Sequence, residues 1–342
     1  MACNILLICG SLNQTTMMHK IADNLPEFYC YFSPFFADGL VGLLARFGFL
    51  NFTILGGNHL KNTLDYLTSN QLQVDPGGKA RAYDAVITCT DTLVQRNING
   101  KRLILVQEGM IEPEGWLYQL VRRLRLPRYL ANTATTGLSD VYDIFCVASI
   151  GYRNLFVRKG VNPDKIYVTG IPNFDNAGSF SINYFPYRNY VLVLTSCARE
   201  NFKYDDRLDF LRRSLEIAAG RQLIIKLHPN ENFARAIKEI KQVAPEAMIF
   251  TNGNTNEMIA NCAVLVTQYT SATYIGLALG KECYSELDLD DLRQIMPIQN
   301  GGVSARRIAD HCRELVNTPD AEMAMIRDGY GRKPGRRLAD LR

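Results

Sequence analysis

Several short segments of the sequence carry side chains that could perform acid–base or phosphate-binding chemistry. His228 and Pro229 follow the apolar run 222–227, where the proline would end a strand and hold the imidazole at the sheet edge. An imidazole in that position can donate a proton to a phosphate or to a departing oxyanion. Capping of the next helix is the alternative role, and the spacing leaves both open.

A cluster of hydroxyl groups follows the apolar run 264–267. Thr270, Ser271 and Thr273 stand where the next helix is predicted to begin, directly after Gln268. The free N–H groups of a helix N-terminus and side-chain hydroxyls together suit a phosphate group. Ordinary N-capping is the alternative. Because two such segments follow strands of one domain, we expect a shared diphosphate or phosphodiester rather than two independent caps.

Carboxylates follow two apolar runs in the first half of the chain. Glu108 comes after the run 103–106 and before Gly109, which allows another group to approach closely. A carboxylate at a strand end suits a general base, and it would face His228 across a cleft. Asp91, after the run 85–89, competes for this role. A structural role remains open for either residue.

The first β-turn-α segment is a polar loop that could contact a substrate. It contains Ser11, Asn13 and Gln14, and His19 follows one turn into the predicted helix. Gly10 is its only glycine, so the GxGxxG dinucleotide fingerprint is absent. GxxxxGK[ST] occurs nowhere in the sequence, which removes support for P-loop phosphoryl transfer.

Composition narrows the class of protein. A chain of 342 residues is long enough for about two domains. Its net charge of +4 is too small for a dedicated nucleic-acid binder, so no nucleic-acid partner is expected. The nine cysteines form no CxxC pair and the histidines number only four, which argues against a zinc site and favours a reducing compartment. We therefore expect no metal.

Short apolar runs alternate with helical stretches along both halves of the chain. This alternation predicts the α/β class, with doubly wound parallel sheets that are covered on both faces. Strands are expected at 4–9, 52–55, 85–89, 103–107, 144–148 and 166–169, and then at 190–195, 222–227, 248–250, 264–267 and 282–284.

A seam rich in Pro, Asn, Gly and Ser, residues 171–188, separates the two halves. We expect an acceptor-side Rossmann-like domain over 1–172 and a nucleotide-donor-binding Rossmann-like domain over 187–320, facing each other across a cleft. The basic tail 321–342 could cross back to the first domain.

This layout and these motifs resemble the GT-B group of nucleotide-sugar enzymes. Within that group the second half is similar to bacterial surface-polysaccharide transferases, namely sialyl-, polysialyl- and Kdo-transferases and glycerophosphotransferases that use CDP-glycerol. Those families share an acidic-acidic-Gly motif, a His-Pro motif and a Ser/Thr pair, and the chain has Gln107-Glu108-Gly109, His228-Pro229 and Thr270-Ser271 in that order. The segments 168–175 and 277–281 also resemble this group.

The resemblance implies a metal-independent glycosyltransferase of the inverting type that builds a surface polysaccharide such as a capsule. It would move a sugar or polyol phosphate from a nucleotide-activated donor to a glycan or lipid-linked acceptor, with no cofactor. Glu108 would deprotonate the acceptor and His228 would stabilise the leaving nucleotide. The donor side would comprise Arg199, Pro229, Gln268, Thr270, Ser271, Thr273 and Gly170, and the acceptor side Ser11, Asn13, Gln14, His19 and Asp91.

Departures from the pattern keep two alternatives open. Gln107 replaces the first acid, and the carboxylate that many GT-B enzymes place near Ile275 to bind ribose is missing. Residues 199–201 resemble non-hydrolysing UDP-GlcNAc 2-epimerases, which also carry His-Pro, although their Asp-Ser-Gly-Gly loop is absent at 267–273. The alternatives are a sugar-nucleotide epimerase and a catalytically silent GT-B-like binding subunit.

Two apolar segments bear on the location of the protein. We expect 28–52 to form a buried helix with a loop, and without a secretory signal the chain is expected in the cytoplasm. Residues 116–130 contain four arginines and no acidic residue. Trp116, Leu117, Leu120, Val121 and Leu124 would form one face, with Arg122, Arg123 and Arg125 largely on the other. Such a helix could contact the anionic inner face of a membrane, and an ordinary surface helix is the alternative.

Overall fold

The structure is a computed structural model that describes residues 3–201 and 204–329. The strands in chain order are β1 (Asn4–Cys9), β2 (Tyr29–Pro34), β3 (Ala85–Thr88), β4 (Arg102–Val106), β5 (Ile144–Val147), β6 (Ile166–Val168), β7 (Val191–Leu194), β8 (Leu223–Lys226), β9 (Met248–Phe250), β10 (Val264–Thr267) and β11 (Glu282–Ser285). The helices are α1 (Leu12–Ala22), α2 (Gly39–Arg46), α3 (Gly57–Ser69), α4 (Trp116–Leu124), α5 (Ile150–Lys159), α6 (Arg207–Ala218), α7 (Phe233–Val243), α8 (Thr255–Asn261), α9 (Thr273–Ala278), α10 (Leu289–Ile295), α11 (Ser304–Asn317) and α12 (Asp320–Arg327).

The chain divides into two compact units. The first contains the chain up to Asp175 and the segment from Asn300 onward, and the second is Asn176–Gln299. The first unit has a six-stranded sheet in the order β2-β1-β3-β4-β5-β6, and the second a five-stranded sheet in the order β11-β10-β7-β8-β9. All neighbouring strands are parallel. The predicted α/β class with two Rossmann-like sheets is confirmed.

Each sheet has a point at which the strand order reverses. In the first unit the chain leaves β1 toward β2 and then returns to β3 on the other side, and in the second unit β8 and β10 lie on opposite sides of β7. Loops that leave neighbouring strands in opposite directions open a crevice beyond the carboxyl ends of those strands, where ligands of open α/β sheets bind. The topology therefore marks one candidate edge in each unit.

The strands form where the sequence is continuously apolar because both faces of each sheet are covered. Ile5, Leu6, Leu7, Ile8 and Cys9 of β1 have no exposed surface. In the second unit Val191, Val193 and Ile225 belong to a core that also includes side chains of α6 and α7. This burial on both faces is what parallel strands require.

The segment 28–52 differs from the expected buried helix. It forms β2, which pairs with β1 from Asn4↔Tyr29 to Cys9↔Pro34, and then α2, which has no buried residue. The expected strand at 52–55 is also wrong, because the Thr53 hydroxyl accepts a hydrogen bond from Leu55 N at 3.2 Å within consecutive turns. Such a side-chain bond competes with the strand ladder. Among the described residues, no helix is long and apolar enough to cross a membrane.

The boundary of the second domain also differs from the expected 187–320, because α11 belongs to the first unit. One face of α11 is buried there at helical spacing, with Ile308, Cys312 and Leu315 at 0% exposure. Asp175 accepts a hydrogen bond from Ser304 N at 2.9 Å. These contacts join segments far apart in sequence, which composition alone does not reveal.

Two arginines attach α11 and α12 to the rest of the first unit. Arg102 donates to Leu315 O at 2.9 Å, and Arg327 of α12 forms an ion pair with Asp143 at 2.8 Å. The expected basic tail 321–342 is thus described as far as residue 329, and residues 330–342 lie outside the described residues.

Candidate functional site

The candidate edge of the first unit is organised around the carboxylate of Glu108, which follows β4. Ser11 Oγ donates to Glu108 Oε1 at 2.7 Å, and Gln14 Nε2 donates to Oε2 at 2.5 Å. Asn13 Nδ2 lies 3.3 Å from the Glu108 carbonyl. Ser11 also caps α1 by accepting from Gln14 N. The structure therefore brings four of the sequence-predicted residues into one hydrogen-bonded cluster.

Neutral side chains donate the hydrogen bonds to the Glu108 carboxylate. Within the described residues, no lysine or arginine forms an ion pair with it, and the side chain is partly exposed. Gln14 Oε1 is buried without a hydrogen-bond donor. A Cβ on Gly10 would lie 2.3 Å from that oxygen, so glycine is required for this close approach. The cluster combines a carboxylate able to accept a proton with an amide oxygen that still needs a donor.

Gln107, which stands where the resembling families have an acid, has a structural position. It is buried, accepts from Ala148 N at 2.9 Å and donates to Gly109 O at 2.8 Å. Its amide thereby joins the end of β4 to the residue after β5. An acid there could not make both bonds in its ionised form, because a carboxylate only accepts.

Asp91 and His19, expected on the acceptor side, are also engaged inside the first unit. Asp91 has no exposed surface and accepts from Gly137 N at 2.9 Å and from Ser139 N at 3.0 Å. Burial raises the pKa of Asp91, and these hydrogen bonds oppose that shift. His19 Nδ1 lies 3.0 Å from Tyr66 Oη, between α1 and α3. Both residues thus bond to the scaffold rather than to the Glu108 cluster, and their expected place on the acceptor side stays a prediction.

His59 was not singled out by the sequence. It stands in the first turn of α3, and burial lowers its pKa while the negative charge of Glu108 opposes the shift. The available signal was the preceding Gly56-Gly57 pair. Gly57 has φ +56, and a Cβ there would lie 2.1 Å from Asn51 O, so this turn requires glycine. His59 is thus a titratable side chain of the first unit whose pKa responds to the charge of Glu108.

The candidate edge of the second unit is organised around His228, which follows β8. Its backbone N donates to Thr195 Oγ1 at 3.1 Å, and its Nδ1 accepts from Asn230 N at 3.2 Å. Because Nδ1 is an acceptor, the neutral imidazole carries its proton on Nε2, which lies 3.9 Å from Cys197 Sγ. His228 is partly exposed and Pro229 exposed. The His-Pro turn therefore offers an N–H donor at the strand end.

A buried charge network fixes this turn, and the sequence did not reveal it. Arg207 pairs with Glu231 and, at 2.8 Å, with Asp205, and all three side chains are at most 1% exposed. Glu231 Oε2 also accepts from Thr195 Oγ1 at 2.5 Å and lies 3.3 Å from His228 N. Buried charges are stable only when paired and hydrogen-bonded in this way. The network holds the loops after β7 and β8 together.

Arg199 and Gln268, expected to bind the donor, make internal contacts instead. The two terminal nitrogens of Arg199 donate to the two carboxylate oxygens of Glu239, each at 2.7 Å. Gln268 is 5% exposed, accepts from Ser196 Oγ at 3.0 Å and donates to Asp205 at 2.8 Å. Both side chains thus support the loops around His228, and their expected contact with phosphate stays a prediction.

The hydroxyl cluster after β10 divides into an inner and an outer part. Thr273 is fully buried, with its hydroxyl 3.0 Å from Thr267 Oγ1 and 2.9 Å from Thr270 O. The expected role of Thr273 at a phosphate stays a prediction, and its hydroxyl is occupied by these internal hydrogen bonds. Thr270 and Ser271 are partly exposed, and Thr270 Oγ1 accepts from Ala272 N at 3.3 Å. Two of the three hydroxyls therefore remain at the surface of this edge.

Gly170, also expected on the donor side, lies in the first unit after β6. It has φ +86, and its N donates to Val147 O at 3.1 Å. The left-handed backbone conformation explains the glycine without a ligand. Gly170 therefore belongs to the first unit, whereas the other residues assigned to the donor side belong to the second.

Comparison with solved structures places the chain in a fold class. Staphylococcus aureus MnaA in a co-structure with UDP has a TM-score of 0.58 at 11% identity, with 92% of this chain and 97% of that chain covered. Neisseria meningitidis UDP-GlcNAc 2-epimerase bound to UDP-GlcNAc gives 0.56 at 12% identity, with 91% and 100% covered. The wall teichoic acid polymerase TagF with CDPG gives 0.51 at 11% identity, with 92% and 89% covered.

These similarities, together with the two parallel sheets, show a GT-B fold of two Rossmann-like units. No protein-family model matches the sequence, and no curated protein matches it. The resemblance to GT-B proteins and to 2-epimerases is confirmed at the level of the fold. The particular transferase subfamily stays a prediction.

Proposed function

We propose that the protein is an enzyme that acts on a nucleotide-activated sugar or polyol phosphate. The observation that carries the proposal is the Glu108 carboxylate, which Ser11 and Gln14 hold at the carboxyl edge of a Rossmann-like sheet. Enzymes of open α/β sheets place their reactive groups at this edge. Nucleotide-bound structures of UDP-GlcNAc 2-epimerase and of TagF, which share the fold, support this class of substrate.

In this proposal the second unit binds the nucleotide phosphates. The polar donors are His228 Nε2 and the hydroxyls of Thr270 and Ser271. They follow the carboxyl ends of β8 and β10, which lie on opposite sides of β7. Preorganised donors aimed at a developing charge lower the barrier without reorganisation during the reaction. The buried ion pair of Arg207 and Glu231 supplies that preorganisation, because it fixes the His-Pro turn.

The reaction that the observations favour is epimerisation of a carbon next to the anomeric centre. Removal of the proton on that carbon is balanced by departure of the nucleotide from the anomeric carbon, and return of a proton to the other face by re-addition of the nucleotide, so two proton-exchanging groups are needed. Glu108 at the end of β4 is one candidate, and His59 in the first turn of α3, whose pKa responds to the negative charge of Glu108, is the other. The 2-epimerases among the similar structures support the same choice.

Transfer to a glycan or lipid-linked acceptor is the second candidate. It needs one base, Glu108, and a stabilised leaving nucleotide, for which His228 is available. The Thr270-Ser271 pair of the resembling transferases is present, whereas the Asp-Ser-Gly-Gly loop of the epimerases is absent at 267–273. TagF with CDPG is the similar structure that supports it.

Incubation with UDP-GlcNAc, CDP-glycerol and a CMP-sugar in deuterated buffer separates these reactions. An epimerase incorporates deuterium at the inverted carbon, and a transferase releases nucleotide slowly without deuterium. Glu108→Gln should abolish either reaction, whereas Glu114→Gln, which removes an exposed carboxylate of the same unit, should not. Nucleotide binding without either product would mean a binding subunit and would refute an enzyme.

A further inference from the structure

The first unit exposes an unusual amount of apolar surface after β2. Leu40, Phe47 and Phe49 are 71%, 69% and 68% exposed, and Phe52 is 51% exposed. No residue of α2 is buried. Single exposed apolar residues are ordinary, but four large ones within thirteen residues of sequence are typical of an interaction surface.

A second exposed apolar group lies on α4. This helix packs inward through Tyr118 and Val121, which are 1% and 3% exposed and belong to a small core cluster. Trp116, Leu120 and Leu124 follow at spacings of four residues and are 78%, 39% and 57% exposed. Residues at that spacing share one helix face, so α4 has an apolar face that the described residues leave largely exposed.

The loop after β3 forms hydrogen bonds with both regions, at the residue before α2 and at a residue after α4. Arg96 N donates to Asp38 at the start of α2 at 2.7 Å. Further back in the same loop, the Asp91 carbonyl accepts from Arg128, four residues beyond α4, at 3.3 Å. Since α2 and α4 both follow carboxyl ends of parallel strands, the two groups belong to one edge of the sheet.

Every charged residue in the two exposed apolar segments is an arginine. Residues 39–52 and 116–130 together contain five arginines and no aspartate or glutamate. Arg122, Arg123 and Arg125 are exposed beside the apolar face of α4. Arginine heads bind lipid phosphates while aromatic and leucine side chains enter the boundary between headgroups and acyl chains.

We propose that this surface, residues 39–52 and 116–130, docks the first unit onto an anionic lipid bilayer. The combination of aromatic tips with arginines and without acids complements such a bilayer in both polarity and charge. The inference is independent of the reaction, since it rests on residues outside the Glu108 and His228 clusters.

Flotation with phosphatidylcholine vesicles, with and without phosphatidylglycerol, tests the charge component. Binding is expected only with phosphatidylglycerol and should weaken at about 1 M salt, where the Debye length falls to ~3 Å. Changing Arg122, Arg123 and Arg125 to Gln should lower the affinity about fivefold for each arginine. A matched control changes the exposed Arg212, Arg306 and Arg307 to Gln.

Removal of apolar tips tests the second component. Phe47→Ser with Phe49→Ser should lower vesicle binding by about tenfold or more, because each ring loses its burial in the headgroup layer. Ile182→Ser with Tyr184→Ser, which removes side chains that are 92% and 102% exposed in the second unit, should leave binding unchanged.

Three results would overturn the proposal. One is equal binding to the two kinds of vesicle, and another is unchanged binding by the arginine variant. The third is a wild-type protein that floats with neither vesicle yet sediments as an oligomer that the phenylalanine variant converts to monomer. That result would assign the surface to contact between copies of the chain.

Discussion

The two candidate edges hold their polar side chains in place by different means, hydrogen bonds from neutral groups in the first unit and buried ion pairs in the second. In the first unit the Glu108 carboxylate is held by the neutral side chains of Ser11 and Gln14. In the second unit the charges are buried and paired with one another, as in Arg207 with Glu231, and neutral groups reach the surface. An unpaired carboxylate retains its capacity to accept a proton, whereas buried ion pairs stiffen a loop.

This difference assigns separate tasks to the two edges. On the proposed function, the edge with Glu108 exchanges a proton, and the edge with His228, Thr270 and Ser271 holds the oxygens of the nucleotide. A change at Glu108 should therefore alter the rate without loss of nucleotide affinity, and a change at the second edge should alter nucleotide affinity, stabilisation of the leaving nucleotide or loop stability.

The largest effect is expected from Glu108→Gln. The amide keeps the size of the side chain but cannot accept a proton, so turnover should fall by about 10²–10⁴. Steady-state rates on the active donor measure this loss. Turnover within a factor of about two of wild type would show that Glu108 is not the base.

Arg207→Met breaks the buried network of the second edge. It leaves Glu231 charged, buried and without its cation, and leaves Asp205 with Arg199 at 3.5 Å, so the free energy of unfolding should fall by about 3–5 kcal/mol. Urea denaturation followed by tyrosine fluorescence gives the shift. Arg213→Met is the control, since its pair with Asp209 is 55% and 51% exposed and contributes at most about 1 kcal/mol. Equal shifts for both variants would contradict the account.

His228→Ala separates chemistry from folding at the same edge. Loss of one donor to the leaving group should slow turnover by about 10²–10³. The melting temperature should change little, because the two hydrogen bonds of the His228 backbone N remain and the bond from Asn230 N to Nδ1 is the one that is lost within the turn. His19→Ala, on the scaffold of the first unit, should keep its activity. An unfolded His228→Ala protein would refute this division of roles.

The smallest effect is a pH dependence of stability from Glu239. The hydrogen bonds from Arg199 lower the pKa of this carboxyl below its usual 4.5. A carboxyl with a lower pKa in the folded state stabilises the protein above its unfolded-state pKa, and this stabilisation is lost as the pH falls through the folded-state pKa. Glu239→Gln should therefore flatten the acid side of the stability profile, by less than about 1 kcal/mol because the pair is partly exposed. Glu246→Gln, an exposed control, should not.

The sequence predicted most strands of both sheets because their apolar runs are short, continuous and separated by helical spacing. It did not predict β2, because this strand and the apolar α2 were interpreted together as one buried helix with a loop over 28–52. It also misplaced α11, since the contact of Ser304 with Asp175 spans more than a hundred residues. Local pattern does not encode which distant surface an amphipathic helix covers.

At the candidate site the sequence located polar residues at strand ends but not the direction of their side chains. Glu108, Ser11 and Gln14 were predicted and lie together. Arg199 and Gln268 were predicted at the donor and bond internally instead, because their partners Glu239 and Asp205 are distant in the chain. A helix was predicted over 116–130 and forms over Trp116–Leu124, where Val121 packs inward while its expected neighbours Leu120 and Leu124 stay exposed.

The direct test of the division between the two edges is nucleotide affinity, measured by calorimetry with UDP and CDP on two variants. Glu108→Gln should bind as tightly as wild type. Thr270→Val combined with Ser271→Ala should bind about tenfold or more weakly, because two hydrogen bonds of about 1 kcal/mol each are lost. Loss of nucleotide binding in Glu108→Gln, with normal binding in the double variant, would contradict the account.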